Sequence, residues 1–298
     1  MAARVETLYA HARGASWWAA AATLTIALLG LGAALLLPIA FSDPNGVDPY
    51  VSRLAVASVL IALPSLTHQR LARARPLLLA LTAVATTYTL LVAGPRIIVG
   101  LFGDGVQRSA LGSFDAQVFW ASLAQAVLTL LLAGAAVRLV APDWRPWLRF
   151  RVTLAGVAAG VLSSAALIGL GLALPASLLG RVALAPVGIV RDLPWLAPAN
   201  ALEGFAQEVQ FRGMLMGALE RSMPRGWANV AQAAVFALAH LAISYGGPEA
   251  PFVPITFVVG LGFGWLVQRT RSVWPAVIVH AIADNALQFA VVPGLYGF

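Results

Sequence analysis

The sequence predicts an all-α fold, a polytopic transmembrane bundle of about eight or nine helices. Three observations predict it. Hydrophobic residues are 60% of the 298 and charged residues only 10%, with mean hydropathy +0.84; a soluble domain carries about a quarter charged residues. The apolar residues fall into runs of roughly 20, the length that crosses a bilayer as a helix. The 19 basic residues are all arginine and mostly lie between those runs.

That last point narrows the partners. A net charge of +7 spread over connections reads as a topology signal rather than a nucleic-acid surface, so a lipid bilayer is expected and nucleic acid is not. Cysteine is absent, which excludes disulfides, a thiol nucleophile and a Cys-based metal site. Arginine without lysine, with abundant Ala and Gly, points to a GC-rich bacterial genome and hence the bacterial cytoplasmic membrane.

Residues 1–16 are polar and mixed; Trp17 and Trp18 then open a retained span to Phe41, too long for a signal-peptide core. A turn at 42–50 leads to a second span ending near Leu66. His68, Arg70, Arg73 and Arg75 form a basic connection, and Pro76 opens a third span to Gly94-Pro95. After a Gly-rich loop at 96–115, a fourth span covers about 116–139 and a fifth about 152–179. Residues 180–198, with Arg181, Arg191, Asp192 and three prolines, read as a loop or shallow interfacial piece. Further helices follow from Asn200 to before Glu220, and at about 227–245, 252–268 and 273–292. The arginine-rich loops place the N-terminus on the cytoplasmic side. Two domains result: membrane helices over 1–180 and a core over 181–298.

The core holds polar residues where a membrane helix should have none. Glu208 and Arg212 stand four apart on one helical face; a charge at mid-bilayer costs at least ~2.5–3.5 kcal/mol, so such residues face protein, pair, and commonly act. They can be an orienting ion pair or a dry carboxylate that activates water. His240 ends Phe236-Ala-Leu-Ala-His240, and a lone histidine is often just a satisfied core residue. His280 has Asp284 four residues on, able to fix its tautomer and orientation. Asn285 lies about a quarter-turn further round and either lines the substrate side with Phe236 or serves a neighbouring helix. At ~1.5 Å per residue, Glu208 and His240 lie about 20 Å, and His280 about 12 Å, from the cytoplasmic helix ends, so the three can meet.

Asn200 with Glu203 reads as a capping box, the rival role for Glu203 being a place in the site one turn from Gln207. Gly260, Gly262 and Gly264 read as a close helix contact. No GxSxG, HExxH, GxGxxG or phosphate loop sits in a suitable context, and Ser163-Ser164 have no catalytic partner nearby.

Gln207-Glu208-Val-Gln-Phe-Arg212, Phe236-Ala-Leu-Ala-His240 and His280-Ala-Ile-Ala-Asp284 together resemble the CAAX-protease and bacteriocin-processing (abortive-infection) family of intramembrane glutamic endopeptidases. Phe211-Arg-Gly213 and Ser272-Val-Trp-Pro-Ala276 strengthen the likeness, which covers about 200–292. The resemblance implies a protease opening to the cytoplasm, without cofactor or metal, that cleaves a membrane-associated protein or peptide. By that analogy the first Glu of the pair and His240 activate water, Glu208 and Arg212 support the site, and His280 with Asp284 stabilises the oxyanion. The first-Glu position here is Gln207, and an amide cannot take a proton from water. Either Glu208 or Glu203 is the base, or the Gln is an engineered substitution, or the chain binds partners without cutting. The competing expectations are a membrane scaffold or chaperone, a metal-dependent hydrolase using both histidines and a carboxylate, and a transporter. Oligomeric state is not legible.

Overall fold

The computed structural model describes residues 76–77, 80–81, 84, 114–139, 148–173, 186–221, 223–240 and 252–290. The first two expected spans and the 42–50 turn lie outside them. The third span is represented by helical Leu77, Ala80, Leu81 and Val84, all buried in the core.

All regular structure among the described residues is helical. The elements are α1 (Phe114–Leu139), α2 (Leu154–Ala173), α3 (Pro186–Glu208), a π-helical turn (Val209–Leu215), α4 (Met216–Glu220), α5 (Arg225–Ala239), α6 (Phe252–Thr270) and α7 (Trp274–Ala290). Helix α3 packs on α1 and α7, α7 on α2, and α5 on α6.

Local chemistry sets the ends. The Thr153 hydroxyl accepts the Gly156 N–H at 3.0 Å, and the Ser272 hydroxyl accepts that of Trp274 at 3.2 Å. Thr153 is the N-cap of α2, Ser272 stands one residue before the cap of α7, and Pro275 follows in the first turn of α7, where a missing N–H costs nothing. Pro224 does the same before α5. Between α6 and α7 the chain reverses through Arg271, whose φ is 55°.

Helix α2 meets α7 along a strip of small residues. Gly156, Gly160 and Ser164 recur every four positions, and a Cβ at Gly160 would stand 3.0 Å from the Pro275 carbonyl oxygen. The opposite faces of α1 and α2 point outward and are apolar: Leu131, Leu154, Val161, Leu162 and Leu170 are all exposed. By length and hydropathy, no helix among the described residues is long and apolar enough to cross a membrane, and the described helices do not establish the expected count of eight or nine spans.

The expectation of a loop over 180–198 is corrected. Helix α3 starts at Pro186 and runs through Pro194 and Pro198. Each proline removes a backbone donor and costs about 3 kcal/mol in a helix interior; packing against both α1 and α7 overrides that preference. The capping box falls with it, because Asn200 and Glu203 lie inside α3 rather than at its start.

One end of the bundle is tied by polar groups. The Arg149 guanidinium pairs with Glu220, whose Oε1 also accepts from Gln268 at 2.8 Å. The Arg149 carbonyl accepts the Val273 N–H at 3.0 Å, and the Phe150 carbonyl accepts the Trp274 indole N–H at 2.9 Å. The residue 148–151 segment, the end of α4 and the α6–α7 turn are thereby fixed to one another, and they hold the helix ends from which the site is built.

Candidate functional site

Two of the three polar constellations expected from the sequence meet at Glu208, and the third, His240, approaches them across Phe236. Its Oε1 accepts from Arg212 Nη1 at 2.7 Å and from His280 Nδ1 at 2.8 Å. Both Glu208 and Arg212 are wholly buried, so the pair meets in the protein interior as the sequence requires.

The π-helical turn explains how Arg212 reaches its partners. All seven of its residues are buried, and such wide turns are common at functional sites. Arg212 Nη2 approaches the Gly260 carbonyl at 3.4 Å. The guanidinium stands 4.1 Å from the Phe236 ring centroid and 5.3 Å from that of Phe263, so aromatic faces replace water around the charge.

His280 sits between two acids. Besides Glu208 at its Nδ1, Asp284 Oδ2 lies 3.5 Å from its Nε2. Space for the ring comes from Gly204, where a Cβ would stand 3.3 Å from His280 Cβ and 3.2 Å from the Ala281 nitrogen. Asn285 serves a neighbouring helix: its Oδ1 accepts from Asn200 Nδ2 at 3.1 Å, and its own Nδ2 donates to the Ala281 carbonyl at 2.7 Å. Asn200, Gly204 and Glu208 therefore form the line along which α3 meets α7.

His240 is the C-cap of α5, with Nδ1 2.7 Å from the Phe236 carbonyl. A carbonyl oxygen only accepts, so Nδ1 carries the proton and the neutral ring presents a lone pair at Nε2. Phe236 packs edge-on against both imidazoles, at 4.4 Å from His240 and 5.8 Å from His280. It thus spaces the two histidines from within the buried core.

Gln207 lies on the strip of α3 beside this line. Its Nε2 donates to Glu203 Oε1 at 3.0 Å, while its own Oε1 is buried without a hydrogen-bond partner. Glu208 Oε2 is likewise buried with none. Among the described residues no three His, Asp or Glu side chains cluster closely enough to hold a metal ion.

Residues 189–286 match the family model described as type II CAAX prenyl endopeptidase Rce1-like. This stretch is similar to that family. It covers about a third of the chain, and every residue of the site just described falls within it. No curated protein and no solved structure matches the chain.

Several residues of the site were not singled out by sequence. Gly204 and Phe263 carry no motif of their own. Gln232, which donates to the Gly260 carbonyl at 3.0 Å and to Asn229 at 2.8 Å, was hidden in an otherwise ordinary helix, although a fully buried glutamine is a signal of polar company. Of the three glycines of α6, Gly260 and Gly264 do contact α5, whereas Gly262 faces open space.

Proposed function

We propose that the chain is an intramembrane endopeptidase that hydrolyses a peptide bond of a membrane-associated protein or peptide. The observation that carries this reading is the Glu208 carboxylate holding Arg212 and His280 together in the protein interior, with His240 nearby across Phe236. A charged constellation of this kind is costly to bury and difficult to explain as packing alone. The Rce1-like match of residues 189–286 supports the same reaction class, and the outward apolar faces of α1 and α2 suit a lipid setting.

In this reading Glu208 and Arg212 are positioning residues. They fix the ring of His280, which with Asp284 faces the carbonyl of the scissile bond and stabilises the oxyanion that develops there. His240, with its lone pair at Nε2, orients the attacking water. Phe236 shapes the substrate contact beside both rings. The site opens to the cytoplasmic face of a bacterial membrane, the side of the N-terminus and of the arginine-rich connections.

The test is cleavage of farnesylated CAAX-tail peptides and a panel of membrane-protein substrates by the purified chain in liposomes, with products identified by mass. Cleavage that disappears in His240→Ala and His280→Ala is expected. A second reading rests on Gln207, whose amide cannot act as a base: a scaffold or chaperone that binds a partner without cutting. Stable capture of an uncleaved substrate by the folded protein, unchanged in His240→Ala, would favour it and overturn the peptidase reading.

A further inference from the structure

The peptidase reading needs a group that takes a proton from water, and Gln207 cannot supply it. We infer that Glu203 is that base, one helical turn before Gln207, with the Gln207 amide as its positioning group. The proposal rests on the peptidase reading and adds a catalytic residue to it.

Three observations point to Glu203. The first is its contact with Gln207: Nε2 donates to Glu203 Oε1 at 3.0 Å, which fixes one carboxylate oxygen and leaves the other, Oε2, for water. The second is reach. Glu203 is part-exposed whereas Glu208 is wholly buried, so Glu203 is the more accessible of the two carboxylates. The third is the use already made of Glu208. Its Oε1 is shared between Arg212 and His280, and moving it to follow a proton would release both.

The neighbourhood suits the role. Glu203 precedes Gly204, where an added Cβ would stand 3.3 Å from His280 Cβ, and its carboxyl lies within electrostatic range of His280 and Asp284. Helical periodicity puts Glu203 and Gln207 on one strip, adjacent to the Asn200–Gly204–Glu208 line. The carboxylate thus stands beside the histidine assigned to the oxyanion, on the strip from which the missing glutamate would have projected.

The step balances without a further reactant. Glu203 takes one proton from water as the water oxygen bonds to the scissile carbonyl carbon. The carbonyl π electrons move onto its oxygen, which His280 stabilises. When the C–O double bond reforms, the C–N bond breaks and the proton held by Glu203 passes to the leaving amine. Glu203 ends as it began, and one water has been consumed.

The experiment measures kcat and KM for the cleaved substrate with the chain as it stands, Glu203→Gln, Glu203→Ala, Gln207→Glu and the exchange Glu203→Gln/Gln207→Glu, each checked for a monodisperse folded state. Removing a general base costs about 10²–10⁴-fold, so Glu203→Gln is expected to lose at least a hundredfold in kcat with little change in KM. Added formate should restore part of the activity of Glu203→Ala in a dose-dependent way, which a structural role would not. The exchange should recover activity by returning the carboxylate one turn along the same strip. Activity within threefold of the parent in Glu203→Gln would overturn the proposal and leave the peptidase reading standing. So would a silent parent chain that begins to cut as Gln207→Glu. Silence from every folded variant would overturn the peptidase reading and this proposal together.

Discussion

Arg212→Met tests the electrostatic heart of the site directly. Arg212 is wholly buried, donates to Glu208 at 2.7 Å and lies 4.1 Å from the Phe236 ring centroid. Methionine fills much of the same volume but leaves the Glu208 carboxylate in the interior with only His280 on Oε1 and no partner on Oε2. Removing one member of a buried pair costs about 3–5 kcal/mol, most of it the stranded charge rather than the lost attraction. The double variant Glu208→Met/Arg212→Met removes that charge as well, and buried pairs exchanged for apolar side chains are often near neutral. It should therefore regain most of the lost stability, short by about 1 kcal/mol for the His280 hydrogen bond. Thermal unfolding of the three proteins in one detergent reads the comparison, with the single variant on the order of 5–10 °C below the parent. Cleavage should be lost in the double variant, which releases His280, and should fall in the single variant, where Glu208 loses the cation that anchors it. A single variant within about 1 kcal/mol of the parent would refute the claim that Glu208 depends on Arg212 for its burial.

Other predictions concern packing and metal. A Cβ at Gly264 would fall 1.8 Å from Asn229 Oδ1 and 2.7 Å from Gln232 Nε2. Gly264→Ala should cost roughly 1–3 kcal/mol as those amides are displaced, whereas Gly262→Ala, facing open space, should be neutral or gain up to about 1 kcal/mol from helix propensity; urea unfolding separates them. Gly204→Ala presses on His280, so kcat should fall several-fold for a stability loss of about 1–3 kcal/mol. Trp274→Phe removes the indole bond to the Phe150 carbonyl and should lower stability by about 0.5–1.5 kcal/mol. Strong chelators should leave cleavage unchanged, and loss of activity that zinc restores would support the metal-hydrolase alternative.

The parts of the site legible in the sequence were those whose chemistry is anomalous for their surroundings. Glu208 and Arg212 stood out because an apolar helix has no other reason to carry them, and their four-residue spacing foretold the pair. His280 with Asp284 was readable for the same reason. The bond from His280 back to Glu208 spans 72 positions and leaves no trace in local pattern. The course of α3 was misread because Pro194 and Pro198 are strong local breakers, while the contacts with α1 and α7 that override them are made elsewhere in the chain. Asn200 looked like a cap because Asn before a helical run usually is one; its actual partner, Asn285, is likewise remote. The fourth expected span was legible to within two residues, 116–139 against Phe114–Leu139, and the fifth was legible at its start, 152 against Leu154, its expected end at 179 lying outside the described residues; long apolar runs bounded by loop residues need no tertiary information.

The wide turn at Val209–Leu215 has a geometrical consequence beyond placing Arg212. A π-turn is an α-helix with one residue inserted, so it changes the angular phase of everything after it. Before it, Asn200, Gly204 and Glu208 address α7. After it, α4 addresses α5, from a continuous stretch of helix without a loop or a break. The insertion works as a rotary offset, letting one rod keep two appointments on different bearings. Deleting a single residue there would bring the two halves into one phase, and either the α7 seam or the α5 seam would turn away from its neighbour.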